Sequence, residues 1–319
     1  MTSKAAHHRV TELDDRHVAA LLPRRDPRGH KGSNGNVTVV AGSLDYLGAG
    51  LLAALAAARA GAGVVRLAVP ASLQPLVAGR VPELVTMGLP ESAAGTVDAD
   101  AAYQRIAEAD ADALVVGPGL LAGGATARLV EWIIAGGGTP AVLDAEALNG
   151  LAASGRDWWV DAARPLVLTP HPGEFARLDG DAVGSDDMAR AERASDAARR
   201  WGQVVVLKGA HTVIASPDGH VARATFENAA LSTAGTGDVL SGTIGALLAQ
   251  GLSTFDAACA GVHLHGAAAA RISERLGDAG MLASDLPPII ARVRRDLAAL
   301  RDPRVGERRM GFGGREPGT

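Results

Sequence analysis

Short β-branched apolar runs, parted by stretches of helical length, constrain this chain more than any other feature. VTVVAG (37–42), VVRLAV (64–69), ALVVGPG (113–119), PAVLDA (140–145), the start of PLVLTPHPGE (165–174) and VVVLKG (204–209) each read as a buried strand. Most of them stop at glycine, proline or a charged residue. Helical patterning fills 48–63, 98–109, 125–137 and 186–202, and it dominates from 236 to 300. The segments 212–216 and 220–225 read as a hairpin across Pro217-Asp218-Gly219. Strands that alternate with helices predict an α/β fold: a doubly wound, mainly parallel sheet flanked by helices. No long linker, repeat or composition break divides the chain, so one domain is expected over 31–301. Residues 1–30 read as a polar N-terminal extension, and 302–319 as a disordered tail.

Composition narrows the function. The chain has 319 residues, 47% hydrophobic and only 3% aromatic, so Ala, Val and Leu must build a large core. A net charge of −4 implies no nucleic-acid surface. The single cysteine, Cys259, rules out a disulfide framework or a cysteine-based metal cluster and reads as a packed core residue. The N-terminus has no apolar signal segment, and no run approaches the roughly 20 apolar residues that span a bilayer. A cytoplasmic protein with no membrane partner is expected.

In an open parallel sheet, ligands sit beyond the carboxyl ends of the strands. The unusual residues gather there: Gly42-Ser43, Gly117-Pro118-Gly119, Asp144, His171 to Glu174, and Lys208-Gly209. Near them falls AGTGDVLSGTIGALLAQG (234–251), one carboxylate between a small-residue turn and an apolar helix. Such a turn frees backbone N–H groups, and the helix start carries positive partial charge. The turn Gly235-Thr236-Gly237 is therefore an anion site suited to a phosphoryl group. Charge alone poorly explains a carboxylate beside a phosphate. Asp238 is better read as a general base that takes a proton from an attacking hydroxyl.

LTPHPGEF (168–175) makes a stiff turn at a strand end. Beside a phosphate site, Glu174 is a candidate to hold Mg2+ through water, and His171 a candidate substrate contact. In VVLKGAHT (205–212), a lysine that closes a buried strand needs an anion. Lys208 could reach a nucleotide phosphate, with the backbone of 208–212 along the nucleotide. The small residues around Gly48-Ala49-Gly50 let a ligand approach closely. They follow no P-loop, and no acidic residue near 68–72 supports a dinucleotide fingerprint. His263 and His265, two apart on an Ala-rich helix, read as packing or interface residues.

Taken together, GTGD at a helix start with LTPHPGE and LKGAHT upstream resembles the ribokinase-like superfamily. The ordered set HKGSNGNVTVVAGS, GPGL, VLDAEALN, LTPHPGEFARL, VVLKGAHTVIASPDG and STAGTGDVLSG resembles one branch, the ADP-dependent NAD(P)H-hydrate dehydratases. The resemblance covers about 12–300. It implies that ADP phosphorylates the ring hydroxyl of S-configured hydrated NADH or NADPH, and that phosphate then leaves to restore the double bond. It implies contacts to the hydrated cofactor from Ala49, Gly119, His171 and Asp238. It also implies contacts to the adenine nucleotide from Lys208, Gly209, Ala210, His211, Thr212 and Gly237, with Mg2+ near Glu174. A homotetramer is implied too. The epimerase domain often fused ahead is expected to be absent, so that a separate epimerase acts upstream.

The alternative is an ATP-dependent vitamin-precursor kinase of the same fold. Those kinases carry Asn-x-x-Glu where this chain has His171-Pro172-Gly173-Glu174. One departure from the branch pattern stands out: Thr233-Ala234 occupies the lead-in where relatives often carry Lys-Gly.

Overall fold

The computed structural model describes residues 10–155 and 157–301. In chain order the elements begin β1 (Val10–Leu13), α1 (Asp15–Leu21), β2 (Asn36–Val40), α2 (Leu47–Arg59), β3 (Val64–Pro70), α3 (Gln74–Val77) and β4 (Val85–Leu89). A small hairpin, β5 (Glu91–Ala93) and β6 (Thr96–Val97), leads to α4 (Ala99–Ala107), β7 (Ala113–Val116), α5 (Gly124–Ala135), β8 (Ala141–Leu143) and α6 (Glu146–Ala153). Next come β9 (Leu166–Leu168), α7 (Pro172–Asp179), α8 (Asp187–Trp201), β10 (Val204–Leu207), β11 (Val213–Ala215) and β12 (Val221–Ala224). Three helices end the described chain: α9 (Thr236–Ala249), α10 (Thr254–Leu276) and α11 (Leu286–Arg301).

Among the described residues, ten strands form one sheet in the order β1-β12-β11-β10-β9-β8-β7-β2-β3-β4. Only β11 runs against its neighbours, β10 and β12, in the predicted hairpin. The expected doubly wound parallel sheet is therefore present. Alternation along each strand feeds two apolar layers. Val37, Val39, Ala113 and Val115 pack with α1, α2, α9, α10 and α11. Val40, Leu114 and Val116 face the opposite way, toward α4, α5, α6 and α8.

Two differences from the sequence reading concern positions. Residues 10–21, assigned to an extension, form β1 and α1, and the first strand is Val10–Leu13 rather than 37–42. Leu13 and Val18 are fully buried, which is why this segment folds onto the domain. The strands β4, β5 and β6 and the helices α3, α6 and α7 were not predicted as elements. The tail 302–319 and residues 1–9 lie outside the described residues. Among the described residues, no helix is long and apolar enough to cross a membrane.

From β2 the chain crosses through α2 on one face, and from β7 through α5 on the other. Since β2 and β7 are neighbours, the sheet has its switch point between them. Their two exit loops bond directly, the Gly42 amide donating to the Pro118 carbonyl at 2.8 Å. A crevice at this position is where open α/β sheets bind ligands.

Candidate active site

Helix α9 passes along the sheet on the α2 face and brings its N-terminus to the crevice. Its closeness depends on missing side chains. A Cβ on Gly245 would lie 2.3 Å from Val115 Cγ2, and one on Gly242 would lie 2.0 Å from the Ala53 carbonyl oxygen of α2. The helix opens at Gly235, whose φ of 88° is left-handed, with Leu52 and Ala283 crowding its Cβ position.

Thr236 turns its hydroxyl backward, where the carbonyls of Leu231 and Thr233 share its one proton. Its amide also leans on Thr233, at 3.4 Å. The Gly237 and Asp238 amides lie in the first turn, where no intrahelical acceptor exists. Of the residues expected to form an anion hole, Gly235 supplies the bend and Gly237, like Asp238, places its amide in the first turn.

Asp238 stands in that first turn, as predicted. Burial, and then the like charge of Asp144, push its carboxyl up to about 7; Lys208 opposes them. Lys208 leaves the end of β10 and places its ammonium 2.8 Å from Asp144 Oδ1 and 3.6 Å from Glu174 Oε2. Burial alone would lower the Lys208 pKa, but Asp144, Glu174 and Asp238 together hold it above the usual lysine value. A Cβ on Gly237 would lie 3.5 Å from the ammonium and 3.8 Å from Asp144 Oδ2. The head of α9 therefore faces the Lys208–Asp144 pair.

His171 and Glu174 form a reciprocal cap on α7. His171 Nδ1 accepts from the Gly173 and Glu174 amides, and Glu174 Oε2 accepts from the His171 amide at 2.8 Å. The Glu174 carboxylate is buried, whereas half of the His171 side chain remains exposed. The sequence reading gave His171 only a contact role; the structure adds this cap.

Across the switch point, Ala49 and Gly119 come together. Gly119 is left-handed at φ 62°, and a Cβ there would lie 2.8 Å from Ala49 Cβ and 2.4 Å from the Tyr46 carbonyl oxygen. Beside α9 lies a cavity of about 290 Å3, lined by Gly209, Ala210, Thr212, Phe226, Leu240 and His265 among others. His211 differs from its neighbours. Its backbone is left-handed at φ 50°, and its ring turns to Asp187 at 2.8 Å, outside the cavity lining.

Two groups were not assigned by sequence. Asp144 was noticed at a strand end but given no role, although it is the partner of Lys208. The residue after it, Ala145, has the strained angles φ 49° and ψ −118°. His265 read as a packing or interface residue, yet its Nε2 lies 2.9 Å from the Thr236 carbonyl oxygen. His263 does behave as a packing residue, buried against Asp15 of α1 and the edge of Phe226.

The three carboxylates of Asp144, Glu174 and Asp238 exceed the charge of the Lys208 they act on. That excess fits a divalent cation which keeps its waters and shares phosphate oxygens, as Mg2+ does. Among the described residues, no group of three or more His, Cys, Asp or Glu side chains could hold a metal ion by itself.

Comparison with known proteins shows which family this fold and sequence belong to. A family model described as NAD(P)H-hydrate dehydratase matches residues 37–292. A bifunctional NAD(P)H-hydrate repair enzyme of Moorella thermoacetica is 46% identical over 279 residues, 86% of this chain. This chain spans 52% of that longer relative, about half its length. An ADP-dependent (S)-NAD(P)H-hydrate dehydratase of Neisseria meningitidis is 41% identical, covering 84% of this chain and 88% of the relative. Among solved structures, an ADP/ATP-dependent NAD(P)H-hydrate dehydratase of Bacillus subtilis, co-crystallised with ATP and Mg2+, superposes with a TM-score of 0.78. It is 33% identical and covers 90% of this chain and 99% of its own. A ribokinase-like superfamily protein of Enterococcus faecalis, 20% identical, shares the fold at a TM-score of 0.76 over 93% of this chain and 99% of its own.

Proposed function

Because this chain belongs to the NAD(P)H-hydrate dehydratase family, we propose that it dehydrates (S)-configured hydrated NADH or NADPH at the expense of ADP. The products are NADH or NADPH, AMP and inorganic phosphate. The observation that carries this reading is Asp238, a half-buried carboxyl pushed up to about 7, in the first turn of α9 with the Gly237 and Asp238 amides and within the field of Lys208.

The steps follow from the groups at hand. The adenine nucleotide occupies the cavity between Gly209–Thr212 and α10, with its phosphates toward Gly237. The hydrated ring lies in the switch-point crevice by Ala49 and Gly119, with the exposed edge of His171 at its side. Asp238 removes the proton of the ring hydroxyl, and the oxygen attacks the terminal phosphorus of ADP. The bond to AMP breaks while the Gly237 and Asp238 amides hold the moving phosphoryl group. The phosphate ester then departs with the bonding pair of its carbon–oxygen bond, and the ring loses a proton to restore the double bond. Phosphorylation makes a poor leaving group a good one, which is how a kinase-like site runs an elimination.

Mg2+, held through water by Glu174, would offset the charge of the phosphates. Lys208 keeps its proton and shares that charge, while Asp144 fixes the lysine in place.

The test is an incubation of the protein with hydrated NADH, Mg2+ and either ADP or ATP, following the return of NADH absorbance and free phosphate. Asp238→Asn should lose at least about a hundredfold in turnover, the usual worth of a general base. Nucleotide affinity should stay within about threefold, since the base is not a binding group. A stable phosphorylated product without phosphate release would instead identify a small-molecule kinase. An Asp238→Asn enzyme of near-normal turnover would remove the base assignment.

A further inference from the structure

His265 is a buried titratable group for which base catalysis by Asp238 has no use. It sits on α10 and is 8% exposed. Burial pushes its pKa down to about 4, so the imidazole is neutral in the folded protein. Its Nε2 lies 2.9 Å from the Thr236 carbonyl oxygen. A carbonyl only accepts, so Nε2 carries the proton.

The position of that carbonyl gives the bond its meaning. Thr236 is the first residue of α9, and its C=O belongs to the same planar peptide unit as the Gly237 N–H. That N–H lies in the first turn, where it has no helical acceptor. A donor to the carbonyl polarises the peptide and strengthens the amide at its other end. It also holds the plane still, while the Thr236 hydroxyl ties the residue back to the Leu231 and Thr233 carbonyls. The lead-in Ser232-Thr233-Ala234 contributes no cation to the turn. Beyond Lys208, which faces the turn, anion binding there depends on neutral amides, whose strength and aim then matter more.

We propose that His265 is a positioning residue for phosphoryl transfer: by donating to the Thr236 carbonyl it orients and polarises the Thr236–Gly237 peptide so that the Gly237 amide holds the phosphoryl group. The proposal rests on the head of α9 being the phosphoryl site. His265 also lines the nucleotide cavity, so a plain wall residue is the competing role. The two roles differ in what they discriminate. A wall contact affects AMP and ADP alike, whereas a polarised Gly237 amide affects the terminal phosphate that only ADP carries.

The full chain and its His265→Leu and His265→Gln variants should be compared by thermal midpoint, by calorimetric affinity for AMP and for ADP with Mg2+, and by turnover. For a folded His265→Leu protein, AMP affinity should change by less than about twofold and ADP affinity should fall about fivefold, the worth of one hydrogen bond. Turnover should fall about tenfold with the KM for the hydrated cofactor unchanged, because the lost strength acts in the transition state. His265→Gln, which retains a side-chain N–H of similar reach, should recover most of both losses. Equal loss of AMP and ADP binding, or an unchanged ADP-to-AMP ratio with unchanged turnover, overturns the proposal.

If His265→Leu does not fold, His265→Gln and His265→Asn decide. The shorter amide cannot span to Thr236, so identical behaviour of the pair is also fatal. The nucleotide-binding arm needs no hydrated substrate. A wild-type protein that binds ADP over AMP but leaves hydrated NADH untouched removes the dehydratase reading and not the role of His265.

Discussion

Taking the Asp238 carboxyl out of water costs the charged form most, and the nearby charge of Asp144 adds to that cost. A base must be deprotonated to act, so kcat/KM should rise with pH and level off above an inflection near 7. Asp144→Asn removes the like charge and frees Lys208 to act on Asp238. Both changes lower the Asp238 pKa, so the acid limb should move to lower pH; a limb that stays in place, or moves up, shows that Asp144 does not set it. Asp238 and Lys208 are legible in the sequence because one heads and the other closes an apolar run, where an uncompensated charge is costly, and Glu174 is legible only beside them, in a Pro-rich turn at a strand end. Asp144 closes such a run too. However, its partner is 64 residues away, and no local pattern joins the two. His265 has no signal of its own, since an imidazole on an Ala-rich helix looks the same whether it packs or positions.

The site is only as well placed as α9, and α9 is seated by the glycines that let it touch α2 and the sheet. Gly242→Ala would ordinarily favour a helix by up to about 1 kcal/mol. Here its Cβ would overlap the Ala53 carbonyl, and overpacking of that kind costs about 1–3 kcal/mol. The expected net result is a lower thermal midpoint together with lost turnover, since α2 and α9 must separate at the crevice. A midpoint equal to wild type would mean that the two helices part without cost. At this scale, the central strands and the long helices are readable because periodicity and length agree. Helix α6 is not, because it starts at the strained Ala145 with no side-chain cap to announce it. Helix α7 hides behind a histidine cap where Ser, Thr, Asp or Asn is the usual signal. The strand β4 mixes exposed and buried positions and carries a glycine, Gly88, in its interior.

For the whole molecule, the decisive contact is between the start of the described chain and its end. The sheet is closed at one edge by β1, which pairs in parallel with β12 across more than two hundred residues. Behind it, α1 packs on α10 and α11: Asp15 meets His263, and Arg301 donates to the Leu22 carbonyl. A polar segment with one four-residue strand gives no local sign of this pairing, which is why it read as an extension. Its energetic weight is nonetheless large. Leu13, Val18 and Leu22 are at most 2% exposed, and at about 1.5–3 kcal/mol each their burial sums to an upper estimate of about 5–9 kcal/mol. Total domain stability is about 5–15 kcal/mol, so the segment holds a large share of it. Deleting residues 1–22 should therefore leave a chain that aggregates through the bare β12 edge or melts well below the intact protein. The removed segment supplies none of the groups assigned to the reaction. Any truncated protein that does fold should accordingly keep its affinity for ADP at low temperature while losing thermal stability. A truncated chain melting within a degree or two of the intact one would show that the domain begins near residue 31 after all, with β1 and α1 as a dispensable appendage.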